Sequence, residues 1–313
     1  MTGSPQPDDH WTGLGWDDGW CDAFAQLPGT PARVGRVDRG WLRVLHQEGD
    51  RSVAAPTDGP PPVTGDWVAC ALDDEPPRVL AVAPRRTALV RRDPADSAPR
   101  PQVLAANMDQ VWIVHAVDQP LRGGWLDRAL VVAHGSGADV LVVIAKADLD
   151  GADGVVAGVA ALAPGVEVLT TSAVDGAGVA TLHARLRDGR CAALLGRSGA
   201  GKSSLINALL GDTTHQTGAV RAGDAGGRHT TTRRSLVRVG GGAVIDTPGI
   251  RALGLWDPAY GLALTFPEIA DLATHCRFTD CSHTHEPGCA VLTARDDRAV
   301  DSDRYRRYIT LSD

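Results

Sequence analysis

The sequence predicts three domains in series: a small antiparallel β-barrel over residues 30–92, a parallel α/β domain over 93–256, and a small, mainly helical domain over 257–313. Three observations carry this expectation. Short strand-like runs separated by Gly, Asp and Pro clusters fill 30–92. Apolar runs of strand length alternate with helical segments through 93–256, the pattern of a parallel sheet. Three Cys and three His then crowd the stretch 275–289.

Composition leaves room for this. The chain has 313 residues, 43% hydrophobic and 22% charged, which excludes wholesale disorder, collagen and coiled coil. No apolar run approaches the roughly 18 residues of a membrane span, and MTGSPQPDDH has neither the basic nor the apolar region of a signal peptide. A cytoplasmic protein with no membrane partner, and a monomer, is expected. The net charge of −7 does not advertise nucleic-acid binding, so any RNA contact must come from local patches such as Arg85, Arg86, Arg91 and Arg92. Of 31 basic residues only Lys146 and Lys202 are lysines, and both fall inside nucleotide-binding motifs, where a compact ammonium differs chemically from a guanidinium.

In chain order, residues 1–29 hold five Asp and no Lys or Arg, together with Trp11, Trp16 and Trp20. A mostly disordered acidic tail is expected, with the tryptophans able to dock. Barrel strands are expected at 32–37, 41–46, 66–72 and 78–83. In the α/β domain they are expected at 111–116, 140–144, 166–170, 192–195 and 243–246, with helices at 126–134 and 203–210.

The strand at 192–195 runs into Gly196-Arg197-Ser198-Gly199-Ala200-Gly201-Lys202-Ser203, a full G-x-x-x-x-G-K-S phosphate loop, with Ser204 opening the helix behind it. Backbone N–H groups of such a loop converge on phosphate oxygens at a helix N-terminus. Lys202 reaches the β- and γ-phosphates, and the Ser203 hydroxyl can ligate Mg²⁺. Downstream, Asp246-Thr-Pro-Gly249 ends an apolar strand: Asp246 can hold Mg²⁺ through water, and the Gly249 N–H can sense a γ-phosphate. Between them, Thr230 or Thr231 can close on Mg²⁺ and the γ-phosphate, and spacing does not choose between the two. Ile250 stands where a water-orienting Gln would be useful and cannot do that work, so His229 is the titratable candidate for the task.

Ala145-Lys146-Ala147-Asp148 follows the strand at 140–144 and is similar to the guanine-specifying N-K-x-D of GTPases. The Asp148 carboxylate would accept from guanine N1–H and the exocyclic amine, a donor pair that adenine lacks. Lys146 would cover the ring, and Ser172-Ala173 would present backbone to guanine O6. Ala145 replaces the Asn, a departure expected to lower affinity and spare selectivity. Base motif precedes phosphate loop here, the reverse of ordinary GTPases, so the domain reads as circularly permuted; a compact domain tolerates such a cut at a surface loop.

Cys276-x₄-Cys281-x-His283-x₅-Cys289 offers three thiolates and an imidazole, a closed tetrahedral set suited to structural zinc, with His275 and His285 as rival imidazoles. The helix expected at 304–308 would bury Tyr305 and Tyr308 and expose its arginines.

Taken together with Thr64-Gly-Asp-Trp-Val68, 102–107, 228–232 and 254–256, these motifs resemble the bacterial small-ribosomal-subunit-dependent GTPases with a circularly permuted G domain. The resemblance spans residues 30–313. It implies an OB-fold, a permuted P-loop GTPase domain and a C-terminal zinc domain; it favours His283 as the imidazole ligand. It further implies GTP/GDP, Mg²⁺ and one structural Zn²⁺, and a small ribosomal subunit and its rRNA as partners, with hydrolysis stimulated by that subunit. Two rivals remain at this point. An ATP-using P-loop enzyme would let ATP displace GDP, and a GTP-binding assembly module without turnover would release no phosphate.

Overall fold

The computed structural model describes residues 11, 13–94, 98–211, 234–247 and 253–312. Five strands, β1 (Thr30–Asp38), β2 (Trp41–His46), β3 (Gly49–Ala54), β4 (Trp67–Ala71) and β5 (Arg78–Val82), close a barrel in the order β1-β2-β3-β5-β4, with β4 returning to β1. The β3–β5 pairing is parallel and the others are antiparallel, as an OB-fold requires. Ala32, Val34, Leu42, Val44, Val53 and Val68 fill its interior. Strand β3 is absent from the sequence-based expectation because its GDRSVA buries a single residue, Val53, and so shows no apolar alternation.

A two-stranded hairpin follows, β6 (Ala88–Arg92) with β7 (Pro101–Ala106). A domain boundary at 92–93 would cut this hairpin in two. The α/β domain then places β8 (Gln110–Ala116), β9 (Asp139–Ala145), β10 (Glu167–Thr170), β11 (Cys191–Gly196) and β13 (Gly242–Asp246) in one parallel sheet, ordered β10-β9-β8-β11-β13. Strand β12 (Ser235–Val239) adds an antiparallel edge and meets the barrel through the single pair Arg36↔Ser235, so one sheet of eleven strands runs through both domains. All seven residues of β8 and all six of β11 are buried, as expected of central strands covered on both faces. The covering helices are α2 (Gly123–His134), α3 (Ala152–Leu162), α4 (Val179–Arg185) and α5 (Lys202–Leu210).

The disordered tail expected over residues 1–29 is corrected for the part that is described. Helix α1 (Asp18–Phe24) is capped by the Asp17 carboxylate, which accepts from Trp20 N at 3.0 Å. Trp11, Leu14, Trp16, Trp20 and Phe24 are buried. Trp11, Trp16 and Trp20 stand 5.4, 4.9 and 5.9 Å from the fully buried Trp67 of β4, centroid to centroid. Acidic charge points to disorder only where little apolar surface can be buried, and four large aromatic rings outweigh it.

The C-terminal domain consists of α6 (Ala259–Thr265), α7 (Pro267–Ala273), α8 (Ala290–Asp296) and α9 (Ser302–Ser312) around Phe266, Ile269, Val291 and Leu311. Helix α6 crosses α2 so closely that a Cβ on Gly261 would fall 2.1 Å from the Val131 carbonyl oxygen. Of the exposed arginine face expected of the last helix, Arg306 is exposed, and Arg304 and Arg307 are corrected. Arg304 is buried, pairs with Glu268 and donates to Leu162 O at 2.9 Å and Thr265 O at 2.8 Å. Arg307 pairs at 2.8 Å with Asp127 of α2, itself 1% exposed. Tyr305 is buried as expected. Among the described residues no helix is long and apolar enough to cross a membrane.

Candidate nucleotide and metal sites

The phosphate loop leaves β11 at Gly196 and ends at Gly201, the N-cap of α5, so Lys202, Ser203 and Ser204 form the first turn of the helix. Gly196 admits no side chain: a Cβ there would lie 2.6 Å from the Val114 carbonyl oxygen of the neighbouring strand. Arg197, Ser198, Gly199 and Ala200 make the turn between them, closed by Ala200 N donating to Arg197 O at 3.2 Å. Lys202 folds back along the loop and donates to Gly196 O at 2.8 Å and Arg197 O at 3.2 Å. Burial pushes its ammonium below the ordinary lysine pKa, and the Asp246 carboxylate opposes that shift. Asp246 ends β13 in register with Leu194 of β11, and the Thr247 hydroxyl donates to Leu194 O. Lysine, carboxylate and loop therefore share one edge of the parallel sheet, where α/β folds bind ligands.

The base segment reaches the same edge. Ala145 ends β9, buried against the phosphate loop: a Cβ on Gly201 would stand 3.3 Å from the Ala145 Cβ. Ala147 N donates to Thr171 O at 2.9 Å, tying the segment to the loop after β10. There the Ser172 hydroxyl donates to Asp148 Oδ1 at 2.8 Å and receives Val174 N at 3.1 Å. Ala173 lies in the same turn, between these two contacts. A carboxylate held from one side by a hydroxyl keeps its remaining lone pairs for an outside donor pair. Lys146 sits at φ 62° and pairs with Asp118 at 2.7 Å. Of the predicted catalytic residues, Asp246 is described; His229, Thr230, Thr231 and Gly249 lie outside the described residues. Sequence reasoning missed the 117–119 turn after β8, whose Asp118 touches Lys146 of the predicted base segment and whose Gln119 touches Ser198 of the phosphate-loop motif; its only signal was a polar turn at the end of a buried strand.

In the C-terminal domain the ligand atoms of Cys276, Cys281, His283 and Cys289 all lie within 4.8 Å of one another. The Sγ atoms of Cys276 and Cys289 are 3.7 Å apart, and each is 3.5 Å from His283 Nδ1. A tetrahedral zinc with bonds of about 2.3 Å to sulfur and about 2.05 Å to nitrogen would set edges of about 3.75 Å and about 3.55 Å. The residues present fit that ion. The rivals turn elsewhere: His275 Nδ1 contacts Asp271 O, and His285 Nδ1 contacts Thr284 Oγ1.

A phosphate loop behind a central strand, a base segment two strands away but earlier in the chain, and an attached OB barrel together define a circularly permuted P-loop GTPase. A sequence profile for the RsgA GTPase family matches residues 82–256. The Small ribosomal subunit biogenesis GTPase RsgA of Streptomyces coelicolor is 45% identical, over 94% of this chain and 83% of its own. Its namesake in Opitutus terrae is 41% identical over 94% and 87%. YjeQ from Thermotoga maritima superposes with a TM-score of 0.64 at 26% identity, covering 90% of this chain and 96% of that one. YloQ, described as a circularly permuted GTPase, shares the fold, with a TM-score of 0.61 at 24% identity and coverage of 90% and 93%. The chain belongs to the RsgA GTPase family and is a GTPase.

Proposed function

We propose that the chain hydrolyses GTP to GDP and phosphate on the small ribosomal subunit, late in that particle's maturation, and that the subunit stimulates turnover. The names of its relatives support the partner. The observation that carries the nucleotide is the meeting of Asp148, its Ser172 brace and the phosphate loop on one sheet edge. In this reading the loop from Gly196 to Gly201 and Lys202 hold phosphates, and Ser203 and Asp246 hold Mg²⁺, directly and through water. Asp148 selects guanine. An Mg²⁺ held by these residues would supply positive charge against the nucleotide phosphates. Thr230 or Thr231 and the Gly249 N–H report the γ-phosphate, and His229 orients the attacking water. Cys276, Cys281, His283 and Cys289 hold a structural zinc, and rRNA is the surface the subunit offers.

Single-turnover phosphate release, with and without purified small subunits, tests this. Stimulation by the subunit is expected, abolished in Lys202→Ala and reduced in His229→Ala at unchanged GDP affinity. No release above background under any condition would leave a binding module, and displacement of GDP by ATP would remove the guanine assignment.

A further inference from the structure

The base segment and the phosphate loop abut at Ala145 and Gly201, yet a methyl group there makes no hydrogen bond. The link between the two segments comes from the turn after β8. Val117 N donates to Ala145 O at 3.0 Å, the Asp118 carboxylate takes the Lys146 ammonium at 2.7 Å, and Gln119 Nε2 donates to Ser198 O at 3.0 Å. Three consecutive residues therefore tie strand β8 to the base segment twice and to the phosphate loop once.

The Gln119 contact has a directional effect. In a trans peptide the carbonyl and the following N–H point to opposite sides. A phosphate loop works only if its N–H groups face the ligand and its carbonyls face away. Holding the Ser198 carbonyl on the side of β8 commits the Gly199 N–H to the opposite side. The amide also lies 3.3 Å from where a Gly199 Cβ would be, so it packs against the same peptide. Gly199 has φ +77° and no side chain, so its peptide is free to rotate unless something fixes it. Among the described residues Gln119 Oε1 has no hydrogen-bond partner, so Nε2 is the end of the amide that anchors the side chain, on Ser198 O.

We propose that Gln119 is a positioning residue for nucleotide phosphates: it presets the Gly199 peptide, so that the loop is ready for the β-phosphate before the ligand arrives. The inference rests on reading the site as a guanine-nucleotide site. It predicts a split between ligands with and without phosphates.

The experiment measures GDP by fluorescent-nucleotide titration, and guanosine by competition, on wild type, Gln119→Met and Gln119→Ala in the full-length protein. Both variants should bind GDP roughly two- to tenfold more weakly, the range of one neutral hydrogen bond. Guanosine affinity and the melting temperature without nucleotide should stay at wild-type values. Unchanged GDP affinity overturns the inference. An equal loss for guanosine overturns it as well, since Gln119 would then be supporting the whole site. If ADP competes with GDP equally in the wild type, the guanine reading itself fails, and the phosphate split between GDP and guanosine still decides the role of Gln119.

Discussion

Two side chains from distant parts of the chain, Asp127 and Arg307, meet at the join of the G domain and the C-terminal domain. Burial pushes the Asp127 carboxyl above its ordinary range, against the pull of Arg307 and Arg304. Removing one partner of a buried pair leaves an uncompensated charge, at a cost of about 3–5 kcal/mol. Arg307→Leu should therefore destabilise the protein at neutral pH by an amount of that order. The sign of its pH dependence follows from linkage. A carboxyl raised in the folded state binds a proton more tightly there than in the unfolded chain, so stability falls as pH rises above the unfolded value. Thermal melts should show the variant recovering part of its stability between neutrality and about pH 4. Adding Asp127→Leu should restore it at neutral pH; a melt that stays low in the double variant would show that the ion pair is not the cause. Nothing local in the sequence announces this contact, because its partners are 180 positions apart. The phosphate loop was legible for the opposite reason: its chemistry needs fixed residue types at consecutive positions, and its strand and helix flank it directly. The placement of Lys146 and Asp148 just after a buried strand was legible in the same way, whereas the partner of Gln119 lies 79 positions away.

At the scale of elements, the segment before the barrel behaves as a packed aromatic plug. Trp16 is 6% exposed, its ring tilted against Trp11 at 5.1 Å and edge-on to Trp67 at 4.9 Å. Replacing a buried Trp by Ala typically costs about 3–5 kcal/mol. Trp16→Ala should lower the midpoint of barrel unfolding, followed by tryptophan fluorescence, and an unchanged midpoint would mean that the plug carries no stability. At its rim Asp17 forms a two-pronged pair with Arg86, at 2.5 and 2.7 Å, and Arg86 stacks 4.1 Å over Trp20. The hydrogen bond from Arg86 holds the Asp17 carboxyl below its ordinary value. That contribution is present above the unfolded pKa and is lost as pH falls through the folded one, and because the pair is half exposed its size is at most about 1 kcal/mol. This plug was only partly legible. The three tryptophans were visible, but their receptor, Trp67, lies across the barrel and reads locally as an ordinary strand residue. The buried parallel strands were legible because their sequences are apolar on both faces. Strand β12 alternates with an arginine and was not.

For the whole molecule, the Cys/His cluster and the G domain are linked through one helix. The Tyr305 hydroxyl of α9 donates to His283 O at 2.8 Å, and the next turns of that helix reach Leu162 and Asp127 of the G domain. Structural zinc binding and folding are coupled, so Cys281→Ala should release the metal and unfold the C-terminal domain. The parallel sheet keeps its own core, and GDP binding should survive. Metal analysis alongside GDP titration checks both halves. A variant that loses GDP affinity together with zinc would show that the G domain depends on its neighbour for more than attachment.

The permuted strand order also sets a schedule for biosynthesis. Strand β8 lies between β9 and β11, but β9 and β10 are translated at once while β11 arrives some seventy-five residues later. Until then, the emerging chain carries a three-stranded sheet whose one edge is β8, seven residues long and meant to be wholly interior. Unpaired apolar edges of this kind recruit other chains. The half-made protein is therefore at its stickiest just before the phosphate loop leaves the ribosome, when the segment proposed for the base exists but the loop proposed to grip the phosphates does not.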